Sequence, residues 1–138
     1  MLLMLTHQRR IHGLRRYELA RAVGMDPEAL RLIESGRVKP TPAQRVNLAA
    51  ALEWDEEPAA LFAVVPSITR AELERRRAGV ALADLASYCN LPEREAAAIL
   101  AGDKPANPRI TMQIANMLQY RGNLMEFFEE VLDESEPE

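Results

Sequence analysis

"GMDPEALRLIESGRVKP", Gly24 to Pro40, reads as one whole helix with its punctuation. Asp26 suits the N-cap, and Pro27 suits the first helical position, where no amide hydrogen is needed. Glu28 then sets a carboxylate near the positive end of the helix dipole. Leu30 and Ile33 share one face, and Gly36 supplies the left-handed stop. The same grammar runs either side. "LTHQRRIHG" is a first helix ended by Gly13, and "RRYELARAV" carries Leu19, Ala20 and Val23 on one face up to Gly24. Thr41 and Pro42, with Gln44 completing a capping box, open "TPAQRVNLAAALE", and "EPAALFAV" makes a short fifth helix. Five short helices joined by tight turns are expected.

This unit occurs twice. Gly13 falls on Gly79 at an offset of 66, and at that offset Leu19-Ala20 meet Leu85-Ala86, Ile33 meets Ile99 and Gly36 meets Gly102. Pro42, Leu52 and Phe62 meet Pro108, Leu118 and Phe128, while Arg9-Arg10 land on Arg75-Arg76. Gly24 meets Asn90, and these two residue types best tolerate a left-handed backbone, so a turn is kept. The joint is "VVPSITRAE", where Thr69-x-x-Glu72 predicts a capping box at the start of the second copy. Asn107-Pro108 repeats Thr41-Pro42, whereas Pro92 replaces Asp26 and predicts a helix that starts one residue earlier. The expected division is 1–65, 66–130 and an acidic tail, 131–138.

The fold class expected is all-α, as two tandem five-helix domains. Aromatics make up 5% of the 138 residues against 48% hydrophobic overall, so alanine and leucine dominate and favour helix over strand. No apolar run approaches the ~20 residues of a membrane span, and "MLLMLTHQRR" is too short and too soon charged for a signal peptide. One cysteine, Cys89, leaves no internal disulfide and fits a reducing cytoplasm. The net charge of −4 hides an asymmetry: residues 1–50 hold nine Arg or Lys against four acids, and acids crowd "EWDEEP" and "EFFEEVLDESEPE".

Helices two and three resemble the helix-turn-helix of the lambda repressor/Cro-type (XRE) family. The likeness rests on Gly13-Leu14, Glu18-Leu19-Ala20, Gly24, Ile33-Glu34-x-Gly36-Arg37 and Lys39-Pro40, and covers nearly all of residues 3–63. It implies that the third helix enters the major groove of duplex DNA while the second crosses the backbone. It further implies phosphate contacts from Arg16, where the family usually has Gln, from Arg15 beside it at a helix N-terminus, and from Arg37 and Lys39. Arg9 and Glu34 match a partly buried ion pair. The base-facing places fall on Pro27, Glu28, Ala29 and Leu32, poorer in hydrogen-bonding groups than the family's usual set. Glu28 could accept from a cytosine amino group, and Ala29 or Leu32 could meet a thymine methyl. Helix-start chemistry accounts for Asp26-Pro27-Glu28 without any DNA.

The second copy departs further. Leu82 stands where Arg16 was and Leu100 where Glu34 was, which leaves Arg75 without the corresponding partner. Apolar residues there suggest packing against the first copy, another subunit or a partner protein, although Arg75-Arg76-Arg77, Lys104 and Arg109 could still touch phosphates. A last amphipathic helix through Leu124, Phe127, Phe128 and Val131 could serve dimerisation, and the acidic tail could compete with DNA for the basic half. His7 and His12, five apart, do not stack on one helix face and have no acid or Cys cluster beside them. Cys89 reads as a small core residue, and neither a phosphate loop nor a nucleophile motif is present. No enzyme activity, metal or cofactor is expected. The expectation is a cytoplasmic, nucleoid-associated transcriptional regulator that binds double-stranded DNA as a homodimer. Its rival is a protein-interaction module, such as an anti-repressor or accessory subunit, that kept the fold and lost DNA.

Overall fold

A computed structural model describes residues 1–134. The chain divides into two compact units, Met1–Ser67 and Ile68–Glu138. In the first, strand β1 (Leu2–Leu3) leads into α1 (Met4–Ile11), α2 (Arg16–Ala22), α3 (Pro27–Glu34) and α4 (Pro42–Ala51). A 3-10 turn, Pro58–Phe62, and strand β2 (Val64–Val65) follow. The second unit repeats this order: β3 (Ser67–Thr69), α5 (Arg70–Ala78), α6 (Leu82–Tyr88), α7 (Glu93–Ala101), α8 (Pro108–Leu118), a 3-10 turn at Leu124–Glu126 and β4 (Glu130–Leu132).

The expectation of an all-α protein is overturned. β1 pairs antiparallel with β2, Leu2 opposite Val65 and Leu3 opposite Val64, and β3 pairs with β4. Each unit thus ties its two chain ends together. The amide of Met4 donates to Ala63 O at 2.9 Å, and its counterpart Arg70 donates to Glu129 O at 2.9 Å. The fifth helix of each unit is only a 3-10 turn. The supposed dimerisation helix is likewise absent: past Glu126 the chain turns into β4, so Val131 and Leu132 belong to a sheet rather than to a tail. Phe127 is fully buried in the second core, its ring 4.7 Å from Tyr120 and 5.1 Å from Phe128. The rest of the expected acidic tail, 135–138, lies outside the described residues.

The helix boundaries follow side-chain chemistry. Asp26 accepts from the Glu28 amide, Thr41 and Gln44 form the reciprocal box, and Asn107 accepts from the Ile110 amide. Thr69 accepts from the Glu72 amide, but Glu72 turns its carboxylate to arginines instead of closing a box. Pro92 does not shift its helix: it is the N-cap, at the place of Asp26, because its fixed φ of −61° with ψ 147° serves an extended cap without any side-chain bond. The repeat is kept down to the backbone. Every left-handed residue among those described pairs at the same offset: Gly13 with Gly79, Gly24 with Asn90, Gly36 with Gly102, and Glu53 with Gln119.

Each unit buries its own core. Leu5, Leu19, Leu30, Leu48 and Leu61 are sealed from water in the first, each contributing about 1.5–3 kcal/mol. Leu85, Ile99, Ile114 and Phe127 play the same part in the second, Phe127 taking the place of Leu61. Among the described residues no helix is long and apolar enough to cross a membrane.

Candidate nucleic-acid interface

α2 and α3 pack on each other through Leu19, Ala20, Leu30 and Ile33, which turns the remaining faces of α3 outward. Pro27 and Glu28 are exposed, while Ala29 and Leu32 are half-buried. The sequence-derived base-facing set therefore splits: two residues stand clear of the protein, and two lend part of their surface to packing.

Beneath this helix lies a three-residue charge cluster. Glu34 is 6% exposed and Arg9 8%. Arg9 Nε donates to Glu34 Oε2 at 2.7 Å and Nη2 to Oε1 at 3.3 Å, while Nη1 reaches Leu14 O at 2.9 Å. The matched ion pair is thus present. Arg16 joins it, donating Nε to Glu34 Oε1 at 3.1 Å with its side chain still 40% exposed. One edge of the Arg16 guanidinium is fixed to the protein, and the rest faces solvent.

Arg15, Arg37 and Lys39 are exposed and, among the described residues, have no acidic partner. Arg15 precedes Arg16, whose head reaches the last turn of α3. Arg37 leaves that same turn, its amide donating to Leu32 O at 3.0 Å. Gly36 makes the exit possible with φ +79°, and the Met1 methyl fills the space a Cβ would need. At the start of α2, Glu18 Oε1 accepts from the Arg15 amide at 2.8 Å, so that one amide is committed within the chain.

Glu28 is committed as well. Its carboxylate binds Arg31, Oε1 to Nε at 2.6 Å and Oε2 to Nη2 at 2.8 Å. The hydrogen bond from Arg31 holds the Glu28 carboxyl below its usual range. It is not the unpaired acceptor that cytosine would need. Sequence reasoning passed over Arg31, although the three-residue spacing of Glu28 and Arg31 signals such a pair.

The second unit solves the same problems with other atoms. Arg75 is not orphaned: Nη1 reaches Val80 O at 2.8 Å, as Arg9 reaches Leu14, while Nε and Nη2 bind Glu72 at 2.7 Å each. Glu72, one turn earlier on α5, replaces the carboxylate that α7 lacks. Leu100 is buried and Leu82 packs partly against the same core, so neither forms a free apolar face. Arg76 is 3.1 Å from Glu72, Arg77 3.5 Å from Glu74 and Lys104 2.5 Å from Glu95. Of the cations considered for secondary phosphate contacts, Arg109 alone is exposed without an acidic partner among the described residues. Burial pushes the Cys89 thiol up, as befits a core residue.

Glu72 makes a pH prediction. Hydrogen bonds from Arg75 first, then Arg76, hold its carboxyl below the ordinary value. A pKa lowered by folding gives stability that is full above the unfolded value, about 4.3, and is lost as pH falls through the folded one. Glu72→Gln should therefore melt below wild type at pH 7, with the gap closing toward pH 3. Circular dichroism melts would show this, while Trp54, the chain's one tryptophan, reports the unaffected first unit. A gap constant with pH would mean that ionised Glu72 is not what holds Arg75.

No family model, curated protein or solved structure gives a significant match to the chain. Among the described residues no three His, Cys, Asp or Glu side chains gather to hold a metal ion.

Proposed function

We propose that this chain is a DNA-binding regulator whose first unit seats α3 in the major groove, in the manner of the lambda repressor/Cro-type family that its sequence resembles. One observation carries the reading: Arg15, Arg37 and Lys39 are exposed and without acidic partners among the described residues, Arg37 and Lys39 following α3 in the chain and Arg15 preceding Arg16, which reaches Glu34 of α3. A protein that needed these cations for its own stability would have paired them, as the second unit pairs Arg75, Arg76, Arg77 and Lys104. Unpartnered cations suit phosphates, which set affinity and register. Arg16 adds the outer edge of its guanidinium, held in place by Glu34.

The second unit acts in support. Its third helix opens with Glu93 and Glu95, Leu100 has gone into its core with Leu82 packed partly against it, and its basic residues are largely neutralised. The unlike helices α3 and α7 cannot read matching half-sites from one chain, so paired half-sites call for a homodimer.

The test is binding to random-sequence duplex across a salt series. Affinity should fall as a power of salt with a slope of about −3.6 per first unit, from four phosphates at ~0.9 each. Absence of binding at low salt, or a flat response, rejects the reading. It would favour the rival, a fold kept for protein contacts.

A further inference from the structure

Arg31 stands out because the family likeness gives it no role and the structure gives it an unusual setting. With about 100° between successive residues, the buried residues Leu30, Ile33 and Glu34 fix the inner side of α3. Glu28 then stands at the outermost point of the helix, with Arg31 one turn on and beside it. Both are open to solvent, their side chains 57% and 44% exposed.

The pair is oriented as well as close. The Glu28 carboxylate engages the Nε and Nη2 edge of the guanidinium, Oε1 to Nε at 2.6 Å and Oε2 to Nε and Nη2 at 3.0 and 2.8 Å. This side-on grip uses one edge and leaves the other, formed by Nη1 and the outer hydrogen of Nη2. The free edge is a planar fork of two parallel donors, the shape that matches paired acceptors.

Resting on the DNA-binding reading, we infer that Arg31, with Glu28 as its positioning residue, is the specificity-determining residue of α3 and reads a guanine through O6 and N7. The guanine edge offers two acceptors side by side, and no other base does so in the major groove. The alternative target of the same fork, a phosphate, is disfavoured by Glu28 itself. The ionised pair is neutral overall, so it has little pull on a phosphate and sets a carboxylate beside any that approached. A base edge is neutral and meets no such repulsion. The carboxylate that looked adverse to DNA becomes the brace that aims the arginine.

The test is selection of binding sites from random duplexes by the full chain, compared with Glu28→Ala/Arg31→Ala, which leaves net charge unchanged. Wild type should select a guanine at one fixed position, and any other base there should weaken binding on the order of 5- to 150-fold. The double variant should lose that preference alone, keeping the wild-type salt slope and the wild-type affinity for duplexes that lack that guanine. Arg31→Lys should behave likewise, because an ammonium keeps the charge and lacks the fork. Retention of every base preference by both variants overturns the inference and leaves the DNA-binding reading intact. A fall in the variants' random-duplex affinity and salt slope, with base preferences unchanged, also overturns it and makes Arg31 a phosphate contact. Failure of the wild type to bind any duplex at low salt overturns both.

Discussion

Replacing Glu34 by leucine should destabilise the first unit by about 3–5 kcal/mol, and Thr6→Glu should restore much of the loss. Glu34 is buried with Arg9 bound through two nitrogens, and Arg16 on the same carboxylate. Removing one side of a buried pair leaves a charge without compensation and costs about 3–5 kcal/mol. A unit of 67 residues has roughly 3–10 kcal/mol in all, at the usual stability per residue. The rescue comes from the second unit, where a leucine, Leu100, already occupies this position and Glu72 supplies the carboxylate from one turn earlier. Thr6 is the counterpart of Glu72, and it is buried in α1. Trp54 packs on the first core and donates Nε1 to Glu57 O at 3.0 Å, so its fluorescence in urea follows this unit. A double variant no more stable than Glu34→Leu would mean that the two units do not share an interchangeable arginine socket.

That socket shows which parts of the molecule were legible and which were not. Residues acting on their own neighbours could be read directly: Asp26, Thr41 and Asn107 cap the helices that follow them, and three of the four left-handed pairs fall where Gly or Asn recurs, Glu53 and Gln119 being the exception. Strands of two or three residues carry no period to detect. Leu2-Leu3, ahead of the expected first helix, gave no strand signal because their partners, Val64 and Val65, lie about sixty residues away. Leu82 and Leu100 were misread for a related reason. Aligned on the first copy, they looked like apolar residues on a charged face, whereas the second unit had moved its carboxylate to Glu72 and drawn both leucines toward its core. Phe127 deceived in the opposite sense, since "NLMEFF" has the look of an amphipathic helix while the chain uses it as a turn that drops one ring into the core. At the candidate site the cations were legible by type and spacing. Their standing was not: only the folded structure separates Arg16, held by Glu34, from Arg15, Arg37 and Lys39, whose side chains have no acidic partner among the described residues.

That difference sets the largest functional effect. Changing Arg15, Arg37 and Lys39 together to alanine should lower affinity for random duplex about 10²- to 10³-fold near 0.1 M salt and cut the salt slope by about 2.7. Stability should stay within about 0.5 kcal/mol of wild type, because exposed side chains without partners support little. Arg16→Ala should differ in kind. Its Nε bond to Glu34 is lost with its phosphate-facing edge, so DNA affinity and the Trp54-reported melt fall together. The contrast separates the two readings of the chain. If these cations serve DNA, the triple variant loses binding with its fold intact. If they serve only to keep a protein-interaction module soluble, it binds duplex as well as wild type, and the salt slope belongs to some other surface.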